Sequence, residues 1–454
     1  MSAAQRGSRS QPGAPGAPPV AYVGARLLDP ERGTDAPGGV IVADGRIADF
    51  GPHLARAGAV AAIGAHGMEV HDCAGACLAP GLVDIRVQAR EPGEEHKETL
   101  ASAADAAAAG GVTTMVCLPN TQPVIDDAAI VESIARRARE TACVHVQTYA
   151  AATRGLQGRE LTEMGLLAEA GAVGFTDATQ AIADAGVMRR ALAYAGNFGR
   201  PVVQHPEEPA LARNGAMNAG ELATRLGLPS IHPAAEVILV ERDLRLVEMT
   251  RGRLHFAHIS TRAAIEAIRA AKARGLAVTA DTAPHYFALN ELAVGDYRTF
   301  AKLSPPLRSE DDRRAVVAGL KDGTIDAIAS DHAPHDQDSK RLPFAQAAFG
   351  TLGLETLLAI TLELVHGGHL PLLAAVGLLT HGPARLLGLD AGRLAKGGPA
   401  DLVIFDPERA WKVDPAKLRS KAKNSVFDGR PVQGRVLRTL VNGAPVFAAE
   451  GRPA

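Results

Sequence analysis

Cysteine is scarce: Cys73, Cys77, Cys117 and Cys143 are the only four in 454 residues. Four thiols cannot form a disulfide framework for so long a chain, and the short CAGAC stretch around Cys73 and Cys77 is too isolated to argue for zinc. The expectation is reduced thiols and a cytoplasmic location. Charge of one sign is also missing. The formal balance is -2, which offers no general attraction for nucleic acid or an acidic membrane surface. No apolar run approaches the roughly 18–20 residues that span a bilayer. Residues 1–19, MSAAQRGSRSQPGAPGAPP, lack the apolar centre of a secretory signal and read as a disordered tail.

What the chain does have is length for a large core and more than one domain, with 46% hydrophobic and 22% charged residues. Short β-branched runs recur at 82–87, 112–118, 144–150, 172–176, 201–205, 254–260, 276–281 and 326–330. Between them lie segments of helical character such as ETLASAADAAAAGG, DAAIVESIARRARE, RAAIEAIRAAKARG and EDDRRAVVAGLKDG, several ending on Gly. Eight strands alternating with helices predict a (β/α)8 barrel over 80–390. Residues 205–253 carry more helix than one crossover needs. The flanks differ. Residues 20–79 and 391–454 hold short strands with DG and NG hairpin signals, and they are expected to pair into one small β domain built from both chain ends.

Reactive groups in such a barrel sit where strands end. Strand 1 ends in Arg86, Gln88 and Arg90, and strand 2 in Asn120. Strand 4 ends at Asp177, strand 5 at His205 and strand 6 at His258. Strand 8 ends in SDHAPH, with Asp331, His332 and His335. A single histidine at such a place is more often structural than a ligand. Two imidazoles and two carboxylates at four strand ends suit zinc or a similar divalent ion.

These stretches resemble a dihydroorotase of the long, amidohydrolase-superfamily type, from about residue 20 to 450. The matching segments are PGLVD, REPGEEHKET, AAAAGGVTTMVCLPNTQPVIDD, HISTRAAIEAIRAAKARG, SPPLRSEDDR, SDHAPH, PFAQAAFGTLGLET and PADLVIFDP with KNSVFDGRPVQGRV. The resemblance implies a distorted barrel with a composite β domain. It also implies reversible closure of N-carbamoyl-L-aspartate to dihydroorotate, with zinc polarising the amide and activating a water. On that resemblance Asp331 is the general acid/base, and His205, His258 and Asp177 are metal ligands. Arg90, Asn120 and His335 contact substrate, and the loop DQDSKRLPFAQAAFG after His335 covers it. The residue at the end of strand 4 is Asp177, so no lysine stands where a carbamylated bridge would be.

The match breaks at strand 1. The family carries His-x-His there, and this chain has Arg86-Val87-Gln88. Arginine stays protonated at neutral pH and Gln is a weak oxygen donor. The family's Asn before Pro-Pro is Ser304 here. Arg86 is therefore expected as a guanidinium in the vacated metal position, facing Asp331 and Asp177 and compensating their charge. At most one Zn2+ remains possible, on Asp177, His205 and His258. Two readings follow: a homologue of weak or lost activity, with aspartate transcarbamoylase as the partner that the resemblance suggests, or an active one-metal dihydroorotase. A hydantoin-type substrate is a third, opposed by Arg90, Asn120 and GLGLET. The expected assembly is a homo-oligomer. Elsewhere, His285 and Trp411 read as core, His96 as loop packing, His332 as a site residue, and Lys97 and Lys340 as solvated loop lysines.

Overall fold

The computed structural model describes residues 18–55 and 68–449; the tail expected over 1–19 lies, up to residue 17, outside them. Strands β1 (Val20–Asp29), β2 (Thr34–Ala43), β3 (Arg46–Gly51), β4 (Glu69–Asp72) and β5 (Cys77–Pro80) open the chain. The Asp44-Gly45 turn joining β2 to β3 has both residues at positive φ, 49° and 75°. This is the twist that a tight hairpin requires.

The chain then builds a ring of parallel strands: β6 (Leu82–Val87), β7 (Val112–Cys117), β8 (His145–Thr148), β9 (Phe175–Thr176) and β10 (Val202–Gln204). Next comes a small parallel pair, β11 (Met217–Asn218) with β12 (Ser230–Ile231). β13 (Leu254–Phe256), β14 (Val278–Thr282) and β15 (Ala327–Ile328) complete the ring. Its two seams are single bridges, Ala150 to Phe175 and Val87 to His332. The second seam is reinforced by the Gln88 N–H donating to His332 O at 2.9 Å. All six residues of β6, and all six of β7, are buried, as expected for parallel strands covered on both sides. One apolar cluster, including Val83, Ile85, Val116, Tyr149, Val203 and Ala257, is drawn from strands all round the ring.

The helices between strands start on the residues that satisfy their free N–H groups. Thr99 accepts from Ser102 N at 3.1 Å before Leu100–Ala109, and Asp127 accepts from Ala129 N at 2.8 Å before Ala128–Thr141. Thr261 and Ser309 do the same for Arg262–Ala273 and Glu310–Lys321. The surplus over 205–253 is real. Two short helices and the β11–β12 pair precede the long helix Ala234–Thr250.

β16 (Leu402–Lys412), β17 (Pro431–Val441) and β18 (Ala444–Ala448) return to the first sheet. Its order is β18-β17-β16-β5-β1-β2-β3, with β4 beside β1. β16 runs antiparallel to β5, and this pairing joins the two chain ends. The fold is thus α/β, a distorted barrel with a β domain made from both termini. Trp411 is half-buried rather than core: its Nε1 donates to Gly434 O at 2.8 Å and Arg435 covers its ring. No helix among the described residues is long and apolar enough to cross a membrane.

Candidate active site

The C-terminal ends of the barrel strands open into a cavity of about 440 Å3, lined by Arg86, Gln88, Arg90, Asn120, His205 and Asp331 among others. Asp331 follows β15, and Arg86 lies in β6. The ring seam makes these strands neighbours, so residues 245 apart in sequence meet. Arg86 Nε donates to Asp331 Oδ1 at 2.8 Å, and its Nη2 donates to Ala178 O at 3.2 Å. Arg86 is 2% exposed, and its Nη1 has no hydrogen-bond partner. Burial pushes the Asp331 carboxyl up, but the neighbouring His258 and Arg86 outweigh it and hold it well below the usual range. Burial and Arg86 push His258 down to about 4. At neutral pH the cation beside Asp331 is therefore Arg86.

Asp84, from PGLVD, braces this pair. Its Oδ1 accepts from Arg86 N at 3.2 Å and Ser330 N at 3.0 Å, tying β6 to the end of β15. It is fully buried, which pushes its carboxyl up to about 6. Gly353 packs against the same corner, and a Cβ there would sit 2.2 Å from Ser330 O.

The two histidines face each other, His205 Nδ1 at 2.9 Å from His258 Nε2. His258 Nδ1 has no hydrogen-bond partner and lies 3.6 Å from Asp331 Oδ2; His285 Nε2 is 3.9 Å from the same oxygen. His285 is buried as expected, but it faces the site. Asp177 turns elsewhere. Its Oδ1 accepts from Thr153 N at 2.9 Å and its Oδ2 from Thr153 Oγ1 at 2.5 Å.

This donor set does not fit the metal centre that the resemblance implies. At the first position stand a guanidinium and an amide. At the second, two imidazoles converge, but the carboxylate that should join them is committed to Thr153. Among the described residues no group of three or more His, Cys, Asp or Glu side chains is arranged to hold a metal.

The groups expected to hold substrate also have partners within the protein. Asn120 Nδ2 donates to Gln88 Oε1 at 3.1 Å, so the residue in place of a family histidine occupies the asparagine. Arg90 donates through Nε to Pro334 O and through Nη1 to Glu94, at 3.1 and 3.0 Å. His335 Nε2 is 2.7 Å from Phe349 O and 3.2 Å from Arg90 Nη2. Burial and Arg90 push His335 down to about 3, so its ring is neutral. Phe349 and Gly350 place the loop after His335 at the cavity wall.

Four residues at this rim, Arg90, Ala178, His258 and Asp331, have positive φ between 42° and 63°. Such backbone is costly for side chains other than Gly, about 1–3 kcal/mol each, and gathers at functional sites.

Sequence reasoning missed Glu207. It is buried, lines the cavity, accepts from Ser304 Oγ at 2.9 Å and lies 3.7 Å from His205 Nε2. Its position two residues beyond a strand-end histidine was the available signal. Other expectations need correction. His332 turns away from the cavity: its Nδ1 accepts from Gly353 N at 3.2 Å and its Nε2 lies 3.7 Å from Glu98. His96 projects outward, its side chain 65% exposed. Lys97 is largely buried against Glu94, and Lys340 is 3% exposed. Neither is a solvated loop lysine, because the loops that carry them fold back onto the barrel rim.

Comparison with known proteins agrees with this architecture. The family described as dihydro-orotase-like matches residues 75–264. A protein named dihydroorotase from Anaplasma phagocytophilum is 46% identical over 95% of this chain and 96% of its own length. One of the same name from Syntrophotalea carbinolica is 46% identical over 93% of this chain and 98% of its own. Among solved structures, L-hydantoinase (dihydropyrimidinase) from Arthrobacter aurescens has a TM-score of 0.83 at 26% identity, covering 96% of this chain and 97% of its own. Dihydropyrimidinase from Brevibacillus agri, at TM-score 0.80 and 22% identity over 95% of each chain, shares the fold.

Proposed function

The chain belongs to the dihydroorotase family, and from that premise we propose that it is a member whose catalytic centre is closed by its own cation. In this reading it retains the barrel of a cyclic amidohydrolase of pyrimidine synthesis, turns over dihydroorotate weakly or not at all, and serves as a structural companion of aspartate transcarbamoylase. The observation that carries the reading is the 2.8 Å bond from Arg86 Nε to Asp331 Oδ1. The family reaction needs a base to take a proton from water and return it to the leaving nitrogen. A carboxylate held well below its ordinary range by the neighbouring His258 and the buried Arg86 guanidinium is a weak base. The guanidinium cannot give up a proton to a reaction, and it offers no position for an activated water. Losing electrostatic stabilisation at such a centre costs factors of about 10² to 10³ for each group removed. The Gln88–Asn120 bond works in the same direction, by occupying a group that would otherwise hold substrate.

The test is dihydroorotate hydrolysis and carbamoyl aspartate cyclisation by the purified chain, with added zinc and after chelation, alongside elemental analysis for bound metal. The expected result is turnover at or near background in every condition, and co-elution with the host's aspartate transcarbamoylase on size exclusion. Facing imidazoles at His205 and His258 favour one alternative, a one-metal dihydroorotase. One equivalent of bound zinc with chelator-sensitive turnover would establish that alternative and sink the proposal.

A further inference from the structure

Beside the mouth, and sharing His335 with it as a wall, lies a second cavity of about 360 Å3. Lys340, Arg341 and Lys423 line it, with Asp336 as the one carboxylate. Asp336 is turned to its own short helix, accepting from Ser339 N at 2.8 Å and Ser339 Oγ at 2.5 Å. Lys340 is 3% exposed and forms no ion pair among the described residues. Its Nζ donates to Thr299 O at 3.0 Å and Ala348 O at 2.6 Å, leaving one of its three N–H groups free. Lys423 Nζ likewise donates to two carbonyls, Leu418 O at 2.7 Å and Ser420 O at 2.8 Å. Behind the same loop the ammonium of Lys302, a residue 2% exposed, meets among the described residues only Ala345 O at 2.9 Å and the Phe349 ring at 4.3 Å.

Buried ammonium groups are normally paired with carboxylates, because removing an unpaired charge from water is costly. Here two, Lys340 and Lys302, lie under one loop with no counter-ion among the described residues. We propose that this side cavity is an anion site that takes a small phosphate-bearing ligand, whose oxygens meet the free N–H of Lys340 with Arg341 and Lys423 beside it. Three cations against one committed carboxylate suit a dianion better than a single carboxylate. Burial, and then the charge of Lys302, pull the Lys340 ammonium down to about 7, a penalty that an adjacent dianion relieves. Occupancy would brace the loop from His335 to Gly350, whose two ends line the mouth.

The inference does not depend on whether dihydroorotate is turned over. It is tested by calorimetric titration and thermal unfolding of the whole chain with inorganic phosphate, against chloride at matched ionic strength and against acetate. Phosphate is expected to bind saturably and raise the unfolding temperature. Lys340→Met should weaken binding by at least about tenfold, the loss of a charge-assisted hydrogen bond. Should that variant not fold, Arg341→Gln at the surface is expected to weaken binding by about two- to fivefold. No saturable phosphate effect, phosphate affinity unchanged in the variants that fold, or acetate binding as well as phosphate would each overturn the assignment.

Discussion

Replacing Arg86 with Met tests the closed centre most directly. Met approximates the aliphatic stem and removes only the guanidinium. Asp331 Oδ1 then loses its 2.8 Å donor and Ala178 O its 3.2 Å donor, in a place where Arg86 is 2% exposed and the Asp331 side chain 13%. Breaking a buried pair by removing one partner costs about 3–5 kcal/mol, whereas replacing both by apolar groups is often neutral or stabilising. Arg86→Met and Asp331→Leu should therefore each destabilise by about 3–5 kcal/mol, and the double variant should lie within about 1–2 kcal/mol of the starting protein. In the starting protein the Asp331 carboxyl is held low, so its contribution is present above the unfolded value of about 3.9 and lost as pH falls through the folded value. The Arg86→Met deficit should accordingly be large at pH 7 and shrink in acid, where Asp331 of the folded variant takes up a proton while that of the folded starting protein stays charged. Urea unfolding at several pH values measures this. A single-variant cost below about 1 kcal/mol with additive behaviour is what an exposed pair gives, and that result would refute the buried, compensating role of Arg86.

Three other outcomes are expected. Arg86→His with Gln88→His should bring zinc into the purified protein, seen by elemental analysis, since it supplies imidazoles where the guanidinium and amide now stand; a double variant that remains metal-free contradicts the reading of that position. For Asp84→Asn, the folded carboxyl is raised to about 6 by burial, so the starting protein loses about 2–3 kcal/mol of stability as pH rises from 4 to above 6. The variant should flatten that part of the stability profile and be at least as stable at pH 7, as unfolding curves from pH 4 to 7 would reveal. Thr153→Val removes the hydroxyl that Asp177 accepts at 2.5 Å and that receives Gly158 N at 2.8 Å, and it should cost about 1–3 kcal/mol by urea unfolding.

The sequence by itself determined the eight barrel strands, helical segments between them with several ending on Gly, and the β domain shared by both ends. These follow from local pattern: period, capping residues and turn pairs are written within a few positions of where they act. It also identified the strand ends that carry Arg86, His205, His258 and Asp331, because a parallel barrel puts those ends on one face. Direction and partnership were decided only by the tertiary structure. Whether Asp177 faced Asp331 or Thr153, and whether His332 faced the cavity or Glu98, depended on backbone turns just past the strands, four of them at positive φ. Lys340 became buried and Lys97 half-buried through loops folding onto a rim built by distant segments, and Glu207 became a cavity wall in the same way. The one partnership expected beforehand, Arg86 with Asp331 across 245 positions, came from the resemblance to a closed barrel and not from any local window; it exists because a closing ring makes its first and last strands neighbours.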